Sequence, residues 1–274
     1  MAEQQHRRAG GAVVAAVLAA GAAGCSSGSA TLDDAHNADP VGTLRRAADT
    51  LVDTGSSKAR TSMEMATGGT RVTIRGEGVY DYRERLGRLK VLLPQDPAGT
   101  SGHRPITELL APGALFMKNR GAGVPADKWV RVDTAGLSDG NLVTGGATDP
   151  LAAAEVLRGT RTATYVGTSE LAGTEVRHYR GTADLAAAAK GASGANKGVL
   201  AAAAKGFATA AVPFDVYLDE QGRIRKIRHR FSFVNRQQGT VAVASTTLLY
   251  DFGVAADVRL PAARDIYAGE IADG

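Results

Sequence analysis

From residue 58 onward, apolar and polar side chains alternate with a period of two, the mark of strands with one buried face. The clearest stretch is residues 212–234, where Val212, Phe214, Val216 and Leu218 alternate with Pro213, Asp215 and Tyr217. Asp219-Glu220-Gln221-Gly222 then supplies a hairpin turn, with Gly at the position that needs a positive φ. The return strand sets Ile227, His229, Phe231 and Phe233 on one face against Lys226, Arg228 and Arg230 on the other. Ile224 is out of phase with Ile227, which predicts a β-bulge near Arg225 and Lys226. The result is a hairpin with an apolar inner face and a basic outer one.

The same period recurs upstream. Ala59, Thr61, Met63 and Met65 alternate with Arg60, Ser62 and Glu64, followed by Val72, Ile74, Gly76, Gly78 and Tyr80, then by Leu89, Val91 and Leu93. These read as three strands of an antiparallel meander, bent where Gly76 and Gly78 sit. Shorter strands are expected at 106–110, 114–118, 128–132, 162–167 and 175–182, with a long one at 240–252 and a last packed piece around Ile266. Helical spacing is confined to a few places. Asp39-Pro40 opens a helix with the stripe Leu44, Ala47, Ala48, Leu51 and Val52. Asp149-Pro150 opens a second that runs through Leu157. The Ala-rich stretch 184–211 predicts two short helices broken near 192–196, weakened by their glycines. The fold class expected is α+β, a curved antiparallel β-sheet with helices against its apolar face.

Residues 1–24 have a different character. His6, Arg7 and Arg8 precede an apolar run over 12–23, too short to span a bilayer and suited to a secretory signal peptide. The run ends at Cys25, the only cysteine, preceded by small residues and followed by Ser26-Ser27-Gly28. That arrangement resembles the lipobox of bacterial lipoproteins, whose Cys carries a diacylglyceryl group and becomes the N-terminus. The competing reading is an ordinary signal peptide with a free Cys. The organisation expected is a signal peptide at 1–24, a flexible tether at 25–38 and a single domain at 39–274. Lipid attachment at Cys25 implies durable anchoring on the extracytoplasmic face of the cell membrane. Arg7-Arg8 leaves the export route open between the general and twin-arginine systems.

Composition narrows the function classes. A net charge of +4 is too mild to argue for nucleic acid. With one Cys the domain has no internal disulfide, and about 250 residues suffice to bury a core without one. No zinc-helix or paired-cysteine motif occurs, and His36, His103, His178 and His229 are scattered. His178 and His229 read as strand residues. Neither an enzymatic activity nor a cofactor or metal is expected, and a monomer is.

Several motifs together carry a family resemblance: V-R-H-Y-R-G-T-A-D-L at 176–185, the Ala-rich stretch after it, V-P-F-D-V-Y-L-D-E-Q-G-R-I-R-K-I at 212–227, L-Y-D-F-G at 249–253, and K-W-V-R-V-D at 128–133. The chain resembles the LppX/LprG-type actinobacterial lipoproteins, whose fold is similar to that of LolA and LolB. The resemblance implies a half-barrel with helices across its concave face and, between them, an apolar cavity for the acyl chains of a lipid or lipoglycan. Met63, Met65, Val72, Ile74, Phe214, Val216, Phe231 and Phe233 are the residues expected to line it. Trp at Val216 or Phe231 is then expected to block lipid binding with the fold kept. The alternative is a filled core in an accessory module that works with a membrane protein. The basic ladder Arg223 to Arg230 reads as a solvated sheet face.

Overall fold

The computed structural model describes residues 39–67, 70–94, 104–121, 123–235 and 239–268; the expected leader, Cys25 and tether lie outside them. Helix α1 (Pro40–Thr54) starts as the cap signal requires. The Asp39 carboxylate accepts the Gly42 N–H at 2.8 Å and Pro40 fills the first turn. Its stripe of Leu44, Ala47, Ala48 and Leu51 is buried. Gly55, at φ 92°, turns the chain out of the helix and into the sheet.

The first meander comprises β1 (Ser56–Thr67), β2 (Thr70–Asp81), β3 (Leu86–Leu92), β4 (Ile106–Ala111), β5 (Ala114–Lys118) and β6 (Trp129–Asp133). The second comprises β7 (Thr160–Leu171), β8 (Thr174–Asp184), β9 (Ala211–Leu218), β10 (Ile224–Asn235) and β11 (Gly239–Tyr250). The two join through β1 and β11 into an 11-stranded antiparallel sheet of order β6-β5-β4-β3-β2-β1-β11-β10-β9-β8-β7, a curved half-barrel. Gly78 permits the tight coil between β2 and β3, because a Cβ there would lie 1.9 Å from the Arg88 carbonyl oxygen. The bulge in the 212–234 hairpin is present as a register shift between Ile224 and Lys226. Strand β7 runs past the expected end at 167, because Gly167 (φ 142°) sits beside a register shift that interrupts the alternation and not the strand.

This strand order explains the helical layer. Strands β6 and β7 are consecutive yet lie at opposite edges, so residues 134–159 must cross the sheet. They do so through a Gly-rich loop and α2 (Pro150–Val156), every residue of which is buried. The Asp149 carboxylate caps α2 by accepting the Leu151 and Ala152 N–H groups, and the Tyr80 hydroxyl donates to it at 3.1 Å. Burial pushes the Asp149 carboxyl up to about 6, against the opposing pull of these hydrogen bonds.

Helices α3 (Leu185–Gly191) and α4 (Asn196–Gly206) complete the cover, broken near the expected place. The α2 carboxylate of Glu155 holds their junction by accepting from the Ser193 N–H and hydroxyl. Gly206 is a contact point: a Cβ there would lie 1.9 Å from the Ser138 carbonyl oxygen. On the opposite, convex face, the C-terminal segment lays Val258 and Ile266 over Leu109, Ala114 and Phe116. The Tyr267 N–H donates to the Trp129 carbonyl at 2.8 Å. Among the described residues, no helix is long and apolar enough to cross a membrane.

Candidate functional site: the concave face

Strand register brings all eight expected lining residues onto the concave face. Ile74, Met63, Ser245, His229 and Phe214 form one row across β2, β1, β11, β10 and β9. Val72, Met65, Val243 and Phe231 form the next, and Phe233 lies beyond, opposite Val241. Val216 belongs to the row on the other side, with Ile227, Thr247, Thr61 and Gly76. Burial is graded along these rows. Met63, Ile74, Phe214, Val216 and Phe231 are buried in one continuous cluster, whereas Met65, Val72 and Phe233 are partly exposed against it. The apolar face therefore runs past its cover at the end where β1 and β10 finish. There Phe207, just after α4, stacks on Phe231 with ring centroids 4.8 Å apart, and the Ala208 N–H donates to the Ser232 carbonyl.

The cover mixes small and larger side chains. Ala152, Ala153, Ala154, Ala188 and Ala203 are buried in α2, α3 and α4 alongside Pro150, Leu151, Glu155, Val156, Leu185, Val199 and Leu200. Its polar attachment to the sheet includes a buried hydroxyl pair, Thr148 and Ser245, 2.6 Å apart.

Among the buried polar side chains described on this face, at least four retain atoms without a hydrogen-bond partner. Three lie together: Thr61 Oγ1, Thr247 Oγ1 and His229 Nε2. Thr61 and Thr247 are register partners, and His229 is opposite Ser245, two residues from Thr247. Burial holds the His229 imidazole down at about 3, so it is neutral. The fourth is Glu108, 0 % exposed, with both carboxylate oxygens unpartnered. It projects between its register partners Leu89 and Met117, and burial pushes its carboxyl up to about 8 despite the opposing charge of Arg120. Sequence reading passed over Glu108, although the alternation of Ile106, Glu108 and Leu110 placed it on the apolar side.

Hollows lie elsewhere on the molecule. One of about 590 Å3 separates the β7–β8 hairpin from the β9–β10 turn, one of about 510 Å3 lies between residues 135–138 and α4, and a groove of about 360 Å3 runs along the convex face. None of these three is lined by any of the eight apolar residues. His178 and His229 are strand residues, as expected. The basic hairpin ladder is largely paired. Arg180, Arg230 and His178 converge on the Asp215 carboxylate at 2.9 Å each, and Arg223 reaches Asp219 at 2.8 Å. Burial would raise the Asp215 carboxyl, but these hydrogen bonds outweigh it and hold it below the usual range.

Comparison with known proteins gives structural likeness only. No family model matches the chain, and no curated protein does. Solved structures do. The chain is similar to the lipoprotein LppX of Mycobacterium tuberculosis, with 12% identity, 81% of this chain and 100% of that one covered, and a TM-score of 0.46. It is similar to LprF of Mycobacterium bovis, with 13% identity, 82% and 98% covered, and a TM-score of 0.40. A LolA superfamily protein of Nitrosomonas europaea matches at 11% identity, 77% and 93% covered, and a TM-score of 0.35. These are the lipoproteins and LolA-type proteins that the sequence motifs resemble.

Proposed function

We propose that this protein is a lipid-anchored lipoprotein of the cell envelope that binds or carries a lipid, taking acyl chains between the concave sheet face and its helices. One observation carries the proposal: the apolar rows of the sheet continue past a cover of short, alanine-rich helices, leaving Met65, Val72 and Phe233 partly exposed beside Phe231 and Phe207. A sheet face of that composition needs an apolar partner. An acyl chain entering there would extend the same packing inward by displacing small side chains, each with little dispersion contact to lose.

The burial of the five deeper residues favours a second reading, a filled core in a non-transporting accessory module. Thermal unfolding of purified protein with added long-chain phospholipid separates the two. Lipid binding to the folded state alone predicts stabilisation of about 2.7 kcal/mol at a hundredfold excess over Kd, seen as a rise in Tm of several degrees. An unchanged Tm across the titration favours the filled core.

The proposed address rests on Cys25. Changing Cys25→Ser is expected to shift the protein from the membrane fraction to the medium, or to leave it unprocessed with its signal attached. Normal processing with unchanged fractionation contradicts lipid attachment.

A further inference from the structure

The convex face carries a built groove that the concave-face reading does not use. Two rows of outward side chains run across β11, β1, β2 and β3: Leu248, Arg60, Glu77 and Lys90 in one, and Thr246, Ser62, Arg75 and Leu92 in the other. Thr246 and Ser62 are short, while their neighbours are long. The long chains therefore stand as walls around a floor, giving the groove of about 360 Å3. That volume falls within the range of small-molecule sites.

Two properties of the lining identify its chemistry. Leu92, 48% exposed, and Leu248 supply an apolar surface. Arg60, Arg75 and Lys90 outnumber the one carboxylate, Glu77, which sits between Arg60 and Lys90 in register and 3.8 Å from the Arg60 guanidinium. Among the described residues neither Arg75 nor Lys90 has an ion pair, in contrast to the cations grouped around Asp215. Leu92 stands beside both Arg75 and Lys90, and Leu248 lies across the groove at its opposite corner, so the lining suits an acidic group joined to a short apolar segment.

We propose that this groove is a binding site for the acidic headgroup and adjoining chain segment of an anionic amphiphile, with Arg75 and Lys90 holding the anion and Leu92 and Leu248 contacting the chain. A bilayer of anionic phospholipid presents that chemistry to the domain, and attraction to it adds to the effect of an N-terminal anchor. The site is independent of the concave face.

The test uses short-chain phospholipids as monomers, titrated into the full-length protein by calorimetry. Dihexanoyl phosphatidylglycerol is expected to bind, and dihexanoyl phosphatidylcholine to bind about tenfold more weakly or worse, since it lacks the net charge. The double change Arg75→Glu with Lys90→Glu should weaken phosphatidylglycerol about tenfold or more. Arg259→Glu, an exposed charge reversal elsewhere, should leave it unchanged. Rising salt should weaken binding in the wild type. Unaltered affinity in a folded double variant overturns the proposal. Equal affinity for glycerol 3-phosphate, which has no chains, also overturns it, because the groove would then be a plain anion site. Loss of binding on Val72→Trp instead assigns the amphiphile to the concave face, so failure here is separate from failure of the lipid-carrying reading.

Discussion

Replacing Glu108 with Gln is expected to stabilise the fold strongly above about pH 8 and hardly at all near pH 4.5. The carboxyl is fully buried on the concave face, neither oxygen has a hydrogen-bond partner, and its pKa rises from an ordinary 4.5 to about 8. The folded state thus holds a proton that the unfolded chain releases. Its contribution to stability is fully present below the unfolded value and is lost as pH rises through the folded one. A gap of this size corresponds to at most about 5 kcal/mol. Gln keeps the shape and cannot ionise, so the variant should lack this part of the pH dependence. Urea midpoints measured across that range check the expectation, and parallel curves for the two proteins contradict it.

Alternation sets the face on which Glu108 lies, whereas the depth of its burial depends on distant segments, and there local pattern stops being informative. Parity along a strand is local, so the hairpin at 212–234, its bulge and the faces of β1 and β2 were legible from alternation alone. Cap chemistry is equally local: Asp39-Pro40 and Asp149-Pro150 mark the starts of α1 and α2 where they occur. The join of β1 to β11 pairs residues nearly 200 positions apart, as in Lys58 with Tyr250, and no local signal specifies it. That join sets β6 and β7 at opposite edges and makes α2 the buried crossing. The convergence of Arg180, Arg230 and His178 on Asp215 likewise depends on three strands meeting. The glycines of the Ala-rich stretch looked like helix breakers, yet Gly206 serves close packing against Ser138. All eight expected lining residues share one face, but the depth at which each is buried depends on what the crossing segment covers.

Changing Val72→Trp is expected to weaken acyl-chain binding by about tenfold or more, equivalent to about 1.4 kcal/mol, while leaving the domain folded. Val72 is partly exposed at the uncovered end, so added bulk can occupy the entry without displacing the interior. Val216→Trp is a different experiment. Val216 is fully buried, with Ile227 and Tyr179 as register partners, and Trp there should destabilise by about 3 kcal/mol or more through overpacking. This changes the expectation drawn from the sequence for Val216: with no partly exposed side to receive it, the indole must displace packed neighbours. Phe231 is buried, stacked on Phe207 at the edge of the cover and tilted against His229 on its inner side. Binding assays on folded Val72→Trp protein check the expectation, and wild-type affinity in that variant would move the entry elsewhere.

Whether an acyl chain occupies the space between sheet and helices can be read by native mass spectrometry of the protein purified gently from its own membranes. The predicted result is a population carrying a noncovalent mass of one lipid, present in the wild type, reduced in Val72→Trp, and released on unfolding. Wild-type protein with no bound lipid, even after incubation with a total lipid extract of those membranes, would contradict the account and leave a filled core in its place.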